Sequence, residues 1–146
     1  MIQHFLPRFR APVVYNGDIR TVEDFLRLHA RFPSVRDWMI GRGAVSDPLL
    51  PQRIRAALAG GVPDARLPDE AGRLRRFHDA LYAASRAELF GPVPVLGRMK
   101  ELWGYLHVRL PDGRDALRRI QRSSTLAEFE RHSAAAFDRM EAVARS

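Results

Sequence analysis

Two short apolar segments, each followed by a glycine-bearing turn, constrain the fold of the first 60 residues most strongly. The segment Val-Val-Tyr at 13–15 runs into Asn-Gly-Asp at 16–18, and Asp-Trp-Met-Ile at 37–40 runs into Gly-Arg-Gly at 41–43. A short apolar run that ends in turn residues is typical of a buried strand. We therefore predict a strand at each of these two segments.

Each predicted strand is followed by a segment with the apolar spacing and the start signals of a helix. Thr21 and Asp24 form the two halves of a capping box, and Asp47-Pro48 opens the second helical segment. The order strand, helix, strand, helix predicts two neighbouring parallel strands in an α/β layer. Two strands by themselves do not make a stable sheet. We therefore expect residues 1–60 to be a slice of a larger layer, whose other strands belong to a longer chain or come from elsewhere.

Glycine and proline mark a boundary after this α/β segment. Gly-Gly-Val-Pro at 60–63 and Leu-Pro at 67–68 predict a linker over 61–67. From residue 68 to residue 146 the apolar residues recur at helical spacing, which predicts a separate all-helical domain. Its first helix is expected to have one face formed by Leu74, Phe77, Leu81, Ala84 and Glu88. The first eleven residues have the pattern of the end of another helix.

The chain is strongly basic, with a formal charge of +7 and a sequence pI near 11.1. Lys100 is the one lysine among 24 basic residues, and such an arginine-rich composition also arises from a GC-rich genome. Basicity alone therefore leaves RNA binding and compositional bias equally open. Residues 98–122 are more informative, since they carry seven basic against three acidic side chains. No segment has the roughly 20 apolar residues of a membrane span or the core of a signal peptide, so we expect a soluble cytoplasmic protein.

The two glycine-bearing turns have the composition of a phosphate site. Glycine allows backbone N–H groups to approach phosphate oxygens, and Arg42 can add a charge-assisted contact. In a (β/α)8 barrel, the loops after strands seven and eight commonly bind phosphate at the carboxyl-terminal face. Asn-Gly and Gly-x-Gly are also ordinary turns between a strand and a helix, and this second interpretation stays open.

The segments Val-Val-Tyr-Asn-Gly-Asp-Ile at 13–19 and Met-Ile-Gly-Arg-Gly-Ala at 39–44, followed by Asp-Pro at 47–48, resemble strands seven and eight of the tRNA-dihydrouridine synthases. Those enzymes use FMN, reduced by NADPH, to reduce the C5–C6 bond of uridines in tRNA. The resemblance implies a fold of the class α/β plus all-α, with the last two βα units of a TIM (β/α)8 barrel followed by a C-terminal helical bundle. It also implies that the FMN phosphate and ribityl chain are held by Asn16, Gly17, Asp18, Gly41 and Arg42, with the amide of Gly43 nearby.

The segment Arg-Met-Lys-Glu-Leu-Trp-Gly-Tyr-Leu at 98–106 resembles a more specific motif, which belongs to the tRNA-binding helical domain of the C-type bacterial synthases. On a helical wheel its apolar side chains form one stripe, and Lys100, Gly104 and Tyr105 lie on the opposite side. Glycine in a helix interior costs about 1 kcal/mol, and at Gly104 it leaves room for an RNA backbone. The resemblance implies an RNA-binding surface made of Arg98, Met99, Lys100, Tyr105, Gln121 and Arg122. An ordinary solvated helix face stays open as the alternative.

The general acid of this family is a cysteine, supported by a lysine and a histidine on earlier barrel strands. The sequence has no cysteine, and Lys100 belongs to the predicted helical domain. We therefore assign no catalytic residue, and we expect the chain to be inactive without the N-terminal part of the barrel. The five histidines lack the spacing of metal ligands, so no metal site is predicted. The C-type resemblance implies a D-loop uridine, at position sixteen, as the substrate.

Two other functions stay open on the sequence. The chain could be part of a different FMN-barrel oxidoreductase that acts on a small molecule, or it could be a non-catalytic RNA-binding remnant. A full-length sequence without the cysteine loop of the synthases would favour the oxidoreductase. A start at Met1 with no barrel-coding sequence upstream would favour the remnant.

Overall fold

The computed structural model describes residues 12–63 and 67–145. The chain forms two units, Met1–Arg66 and Leu67–Ser146, and the helix end predicted within residues 1–11 lies outside the described residues. The first unit contains β1 (Val14–Asn16), α1 (Val22–Arg31), β2 (Asp37–Met39), α2 (Arg42–Ser46) and α3 (Leu50–Leu58). The second contains α4 (Glu70–Glu88), α5 (Pro92–Leu106), a 3₁₀ turn (His107–Arg109), α6 (Gly113–Arg122) and α7 (Leu126–Arg145).

The strands β1 and β2 are adjacent and parallel, which confirms the prediction made from the two apolar segments. Tyr15 pairs with Trp38, and both side chains pack against the core of the first unit. That core consists of Ile19, Val22, Phe25, Leu50 and Ile54. The opposite face of the sheet is uncovered, because Val14 is 56% exposed and Met39 is 54% exposed. The described part of the first unit is thus a half-covered two-stranded layer, as the sequence led us to expect.

Acidic side chains stabilise the starts of α1 and α3 in the first unit. The Thr21 hydroxyl accepts a hydrogen bond from the Asp24 N–H at 3.0 Å, and the Asp24 carboxylate accepts one from the Thr21 N–H at 3.2 Å. The predicted capping box of α1 is therefore confirmed. Before α3, the Asp47 carboxylate accepts from the Leu49 N–H and from Arg53 Nε, each at 3.0 Å. The Asp47–Arg53 pair is buried, and loss of one partner from such a pair typically costs about 3–5 kcal/mol.

The short helix α2 was not predicted, and it packs against the loop after β1 through Gly43. A Cβ atom at Gly43 would collide with the carbonyl oxygen of Ile19, and it would lie 3.1 Å from Cδ2 of Leu50. Glycine is the residue that allows two backbone segments to approach this closely. Gly41, two residues earlier, has open space where a Cβ atom would lie. Gly43 therefore joins the two loops that follow the strands.

The described part of the second unit contains helices and no strand, as predicted. A second capping box opens α7, since the Thr125 hydroxyl accepts from the Glu128 N–H at 3.2 Å and the Glu128 carboxylate accepts from the Thr125 N–H at 3.4 Å. The predicted apolar stripe of α5 is buried and consists of Met99, Leu102, Trp103 and Leu106. This stripe meets Phe129 and Phe137 of α7 in the core, where all the side chains are nearly inaccessible to solvent.

The buried face of α4 differs from the predicted one. Its buried residues are Glu70, Ala71, Leu74, His78 and Ser85, whereas Ala84 and Glu88 are exposed. The prediction was right for Leu74 and wrong for Ala84 and Glu88, because it followed helical spacing alone. Packing buries three polar side chains of this helix instead. Ser85 tolerates burial because its hydroxyl donates to the Leu81 carbonyl oxygen at 2.8 Å.

His78 is the least expected residue of this core. Its ring lies 5.1–6.5 Å, centroid to centroid, from the rings of Tyr82, Trp103, Phe129 and Phe137. Nδ1 is 2.9 Å from the Asp79 carboxylate, and Nε2 has no hydrogen-bond partner among the residues that the structure describes. Burial disfavours the charged imidazolium and lowers the pKa of His78, although the hydrogen bond with Asp79 opposes this effect.

Gly43→Ala is expected to destabilise the first unit, because a methyl group at this position meets a backbone carbonyl that has no side-chain torsion by which to move away. Overpacking of this kind typically costs about 1–3 kcal/mol. Thermal and urea unfolding of the 146-residue chain should show the loss. The matched control is Gly97→Ala in α5, whose Cβ meets no neighbour within 4 Å and whose position inside a helix suits alanine. Equal stability of the two variants would contradict the assignment of Gly43 as a packing residue.

His78 is expected to make the stability of the helical unit depend on pH in a defined direction. Above the ordinary histidine pKa of about 6.5, both the folded and the unfolded chain hold His78 neutral. As the pH falls below that value, the unfolded chain takes up a proton that the folded chain refuses, so stability decreases until the lowered pKa is reached. His78→Phe should weaken this decrease between pH 7 and pH 5 in urea titrations. An identical decrease in both proteins would rule out the effect.

Candidate functional site

The carboxyl ends of β1 and β2 lie side by side, and an open cavity of about 460 Å³ is located at this edge of the sheet. Asn16 pairs with Met39 in the parallel register, so the loops after both strands leave the sheet at the same end. The cavity is lined by Asn16, Gly17, Asp18, Ile19, Met39, Gly41 and Arg42. Five of the six residues that the sequence predicts for the cofactor thus line one cavity.

Asp18 lies between two arginines at this cavity. Arg20 Nε donates to both carboxylate oxygens of Asp18, at 3.0 and 3.1 Å, and Arg42 Nη2 donates to one of them at 3.2 Å. The hydrogen bond from Arg20 is the main reason why the pKa of Asp18 lies below its ordinary range, and the charge of Arg42 adds to it. The three side chains together carry one more positive than negative charge.

The three glycines of the two loops have different surroundings. Gly41 is exposed with open space beside it, whereas a Cβ at Gly17 would collide with the Tyr15 ring. Gly43 is buried against the Ile19 carbonyl and does not line the cavity. Gly41 is therefore the glycine most open to a ligand, and the side of Gly43 on which a side chain would stand is filled by the protein itself.

The donors around the cavity fit a phosphate ester with a hydroxylated chain. The Arg42 side chain is 63% exposed, and a guanidinium has five N–H donors, so contacts besides the one with Asp18 are available. Asn16 adds a side-chain amide, and Gly41 allows the backbone to come close. The Asp18 carboxylate suits a hydroxyl donor rather than an anion, and Arg20 offsets its charge.

On the second unit, α5 presents the side chains predicted to contact RNA, with one exception. Lys100, Gly104 and Tyr105 are accessible, and Tyr105 is 37% exposed. Arg98 is also exposed and pairs with Glu88 at 3.2 Å. Met99 is fully buried in the core, so its prediction as an RNA contact is corrected: the side chain belongs to the apolar stripe of α5.

A hydrogen bond brings α6 beside the predicted surface of α5. Gln121 Nε2 donates to the backbone carbonyl oxygen of Lys100 at 3.1 Å, so two residues predicted to bind RNA lie together. Arg122 follows Gln121 and is exposed. Neither Lys100 nor Arg122 has an ion-pair partner within residues 12–63 and 67–145, so both keep their charge available.

The structure contains two charged contacts that the sequence analysis missed. Arg20 contacts Asp18, and its position two residues after Asp18 was a signal that could have revealed it. Arg139 of α7 pairs with Asp112, just before α6, at 3.3 Å. No local pattern could have revealed this contact, because 27 positions separate the two residues and helix packing brings them together.

The described residues contain no group of three or more side chains able to hold a metal ion. Their helices are also too short or too polar to cross a membrane.

Comparison with known proteins shows a clear relationship. The sequence model of the dihydrouridine synthase family (Dus) matches residues 1–89. A tRNA-dihydrouridine(16) synthase of Ralstonia nicotianae is 37% identical over 138 residues, which cover 92% of this chain and 40% of that protein. A tRNA-dihydrouridine(16) synthase of Cupriavidus necator is 36% identical over 120 residues, covering 82% of this chain and 35% of that protein. The chain thus spans less than half the length of these curated relatives, and it belongs to the dihydrouridine synthase family.

Proposed function

We propose that this chain is the part of a tRNA-dihydrouridine synthase that holds the phosphate end of FMN and binds tRNA. The observation that carries the proposal is the cavity at the ends of β1 and β2, which is lined by five residues of the predicted cofactor set. Membership of the family and two relatives named tRNA-dihydrouridine(16) synthase support it. The substrate we propose is a D-loop uridine at position sixteen, and the compartment is the cytoplasm.

In this proposal β1 and β2 are strands seven and eight of a (β/α)8 barrel. Residues 1–60 form part of the FMN-binding barrel, 61–67 the linker and 68–146 the tRNA-binding domain. The uncovered sheet face supports this assignment, because exposed Val14 and Met39 suit the packed interior of a barrel. The remaining strands of the barrel are required for activity.

FMN would be held by contacts of different kinds. Arg42 binds the phosphate through charge-assisted hydrogen bonds, and the backbone at Gly17 and Gly41 approaches it closely. Asn16 adds a side-chain amide, and Asp18 accepts a hydrogen bond from a ribityl hydroxyl. Gly43 contributes by keeping the two loops together, and its amide lies next to them. FMN bound at this site, with NADPH as its reductant, would supply the hydride for reduction of the C5–C6 bond of uridine. None of these residues donates a proton to the substrate, and the chain contains no cysteine, so alone it is inactive.

The exposed face of α5 is the proposed contact with tRNA. Lys100 carries a charge without an ion-pair partner in the described part of the chain, and Tyr105 presents part of its ring for stacking. Gly104 has no neighbour within 4 Å of the Cβ position, so packing within the unit does not require glycine there. An RNA backbone can approach the helix closely at this point. Arg98, Gln121 and Arg122 extend the surface on both sides.

Arg42→Ala is expected to weaken FMN binding in the complete synthase, because a hydrogen bond to a charged group contributes about 1.5–3 kcal/mol. That loss corresponds to roughly tenfold or greater loss of affinity, measurable as flavin content after purification and by fluorescence titration. Arg27→Ala is the matched control, since Arg27 is an exposed arginine of α1 paired with Asp24. Equal flavin binding by the parent and Arg42→Ala would contradict the assignment of this cavity.

Lys100→Ala and Tyr105→Ala are expected to weaken binding of a tRNA transcript to the 146-residue chain in different ways. Lys100→Ala should reduce the slope of log affinity against log salt by about 0.7–0.9, the contribution of one phosphate contact. Tyr105→Ala should leave the slope unchanged and cost about 1–3 kcal/mol if the ring stacks on a base.

Gly104→Leu provides the test of close approach. A leucine side chain fits the open space and raises helix propensity, so the helical unit should become more stable in thermal melts. The same side chain should obstruct the RNA backbone and weaken tRNA binding. A more stable variant that binds tRNA as well as the parent would show that this face is merely solvated.

A further inference from the structure

One face of α6 carries two arginines that the proposed α5 surface does not include. Arg114, Arg118 and Gln121 lie four and three positions apart, so they share one side of the helix. The hydrogen bond from Gln121 to the Lys100 carbonyl fixes this side next to α5. These three residues form a ridge along α6. With a rise of 1.5 Å per residue, the ridge runs about 10 Å from Gln121 to Arg114. Positive charge therefore continues from Lys100 along α6.

The far end of this ridge opens into a cleft between α6 and α7. An open cavity of about 530 Å³ is lined by Arg114 and Arg118 of α6 and by Arg139 of α7. The remaining lining residues are Asp112, Gly113 and Asp115. Three guanidinium groups thus face one cavity with two carboxylates.

The ion pairs of the cleft leave positive charge for a ligand. Arg114 has no ion-pair partner in the part of the chain that the structure describes, whereas Arg139 pairs with Asp112 at 3.3 Å. Arg118 Nη2 and Arg119 Nε each donate to Asp115 at 2.9 Å, one to each carboxylate oxygen. Because Arg119 keeps Asp115 compensated, Arg118 can turn toward a bound anion without leaving an unpaired carboxylate. Both Arg118 and Arg119 are well exposed, so the movement of Arg118 from Asp115 to a bound anion has little steric hindrance.

We propose that Arg114, Arg118 and Arg139 form a second phosphate-binding cleft, which takes the backbone of the tRNA that α5 contacts. This inference rests on the proposed tRNA binding and adds a surface to it. The chemistry is that of phosphate, since guanidinium groups bind two phosphate oxygens at once and five of the six residues that line this cavity are charged. Contacts of this kind position the RNA and do not read its bases. The cleft is continuous with the proposed α5 surface, because Gln121 lies on the same side of α6 and binds the Lys100 carbonyl. A ligand that spans both surfaces is an RNA strand rather than a small anion.

The test is a titration of the 146-residue chain with an unmodified tRNA transcript at several salt concentrations. Arg114→Ala/Arg118→Ala should reduce the slope of log affinity against log salt by roughly 1.4–1.8, because two phosphate contacts are lost. Affinity at low salt should fall about tenfold or more. Arg114→Lys/Arg118→Lys keeps both charges, so its slope should equal that of the parent. The helical fold should survive in both variants, since Arg119 still compensates Asp115, and thermal melts check this.

The matched control is Arg76→Ala/Arg86→Ala, which removes the same charge from α4. Among the described residues α4 packs against α5 and α7 but not against α6, so this control should not change the slope as the cleft variant does. If this control lowers the salt slope as much as the cleft variant does, the effect depends on net charge alone and the proposal is overturned. Parent-like binding by Arg114→Ala/Arg118→Ala, together with weakened binding by Lys100→Ala, would overturn the cleft and leave the α5 surface standing. A parent chain that does not bind tRNA would overturn both.

Discussion

The parallel pairing of β1 with β2 is the constraint on which the candidate cofactor site depends. It places Asn16 opposite Met39, so both loops begin at one edge of the sheet and enclose one cavity. A shift of either strand by one residue would turn its own aromatic side chain, Tyr15 or Trp38, out of the core. Gly43 then fixes the second loop against the first, because no side chain separates α2 from the Ile19 carbonyl.

Ion pairing decides which basic residues of the helical unit are available to a ligand. Arg75 is held by Asp138 and Glu141 of α7, at 2.8 and 3.0 Å, and these contacts raise its pKa. An arginine held by two carboxylates has fewer N–H donors available for a phosphate than an arginine without a partner. Lys100 and Arg114 have no such partner within the described residues. The surface that we propose for RNA binding is therefore much narrower than the arginine-rich composition indicates.

Local sequence signals predicted a large part of the fold. The capping box of α1 was legible because Thr21 and Asp24 interact across a single helical turn. The strands were legible because apolar runs stop at glycine turns, and Met99 was placed on the apolar stripe by helical periodicity. The same periodicity failed on α4, where His78 is buried among aromatic rings and Ala84 is exposed. Helical periodicity predicts the buried face from the polarity of the residues, whereas actual burial depends on the side chains of the neighbouring helices.

The sequence by itself determined most of the elements, their order and the residue types of the two candidate surfaces, because those depend on short-range hydrogen bonds and on spacing along the chain. It also determined the family, through motifs that need no coordinates. Only the tertiary structure decided that Arg42 also reaches Asp18, that Gln121 binds the Lys100 carbonyl and that the α6–α7 cleft exists. These contacts join residues on different elements or in an irregular loop. Their geometry follows from how the elements pack, which no local pattern encodes.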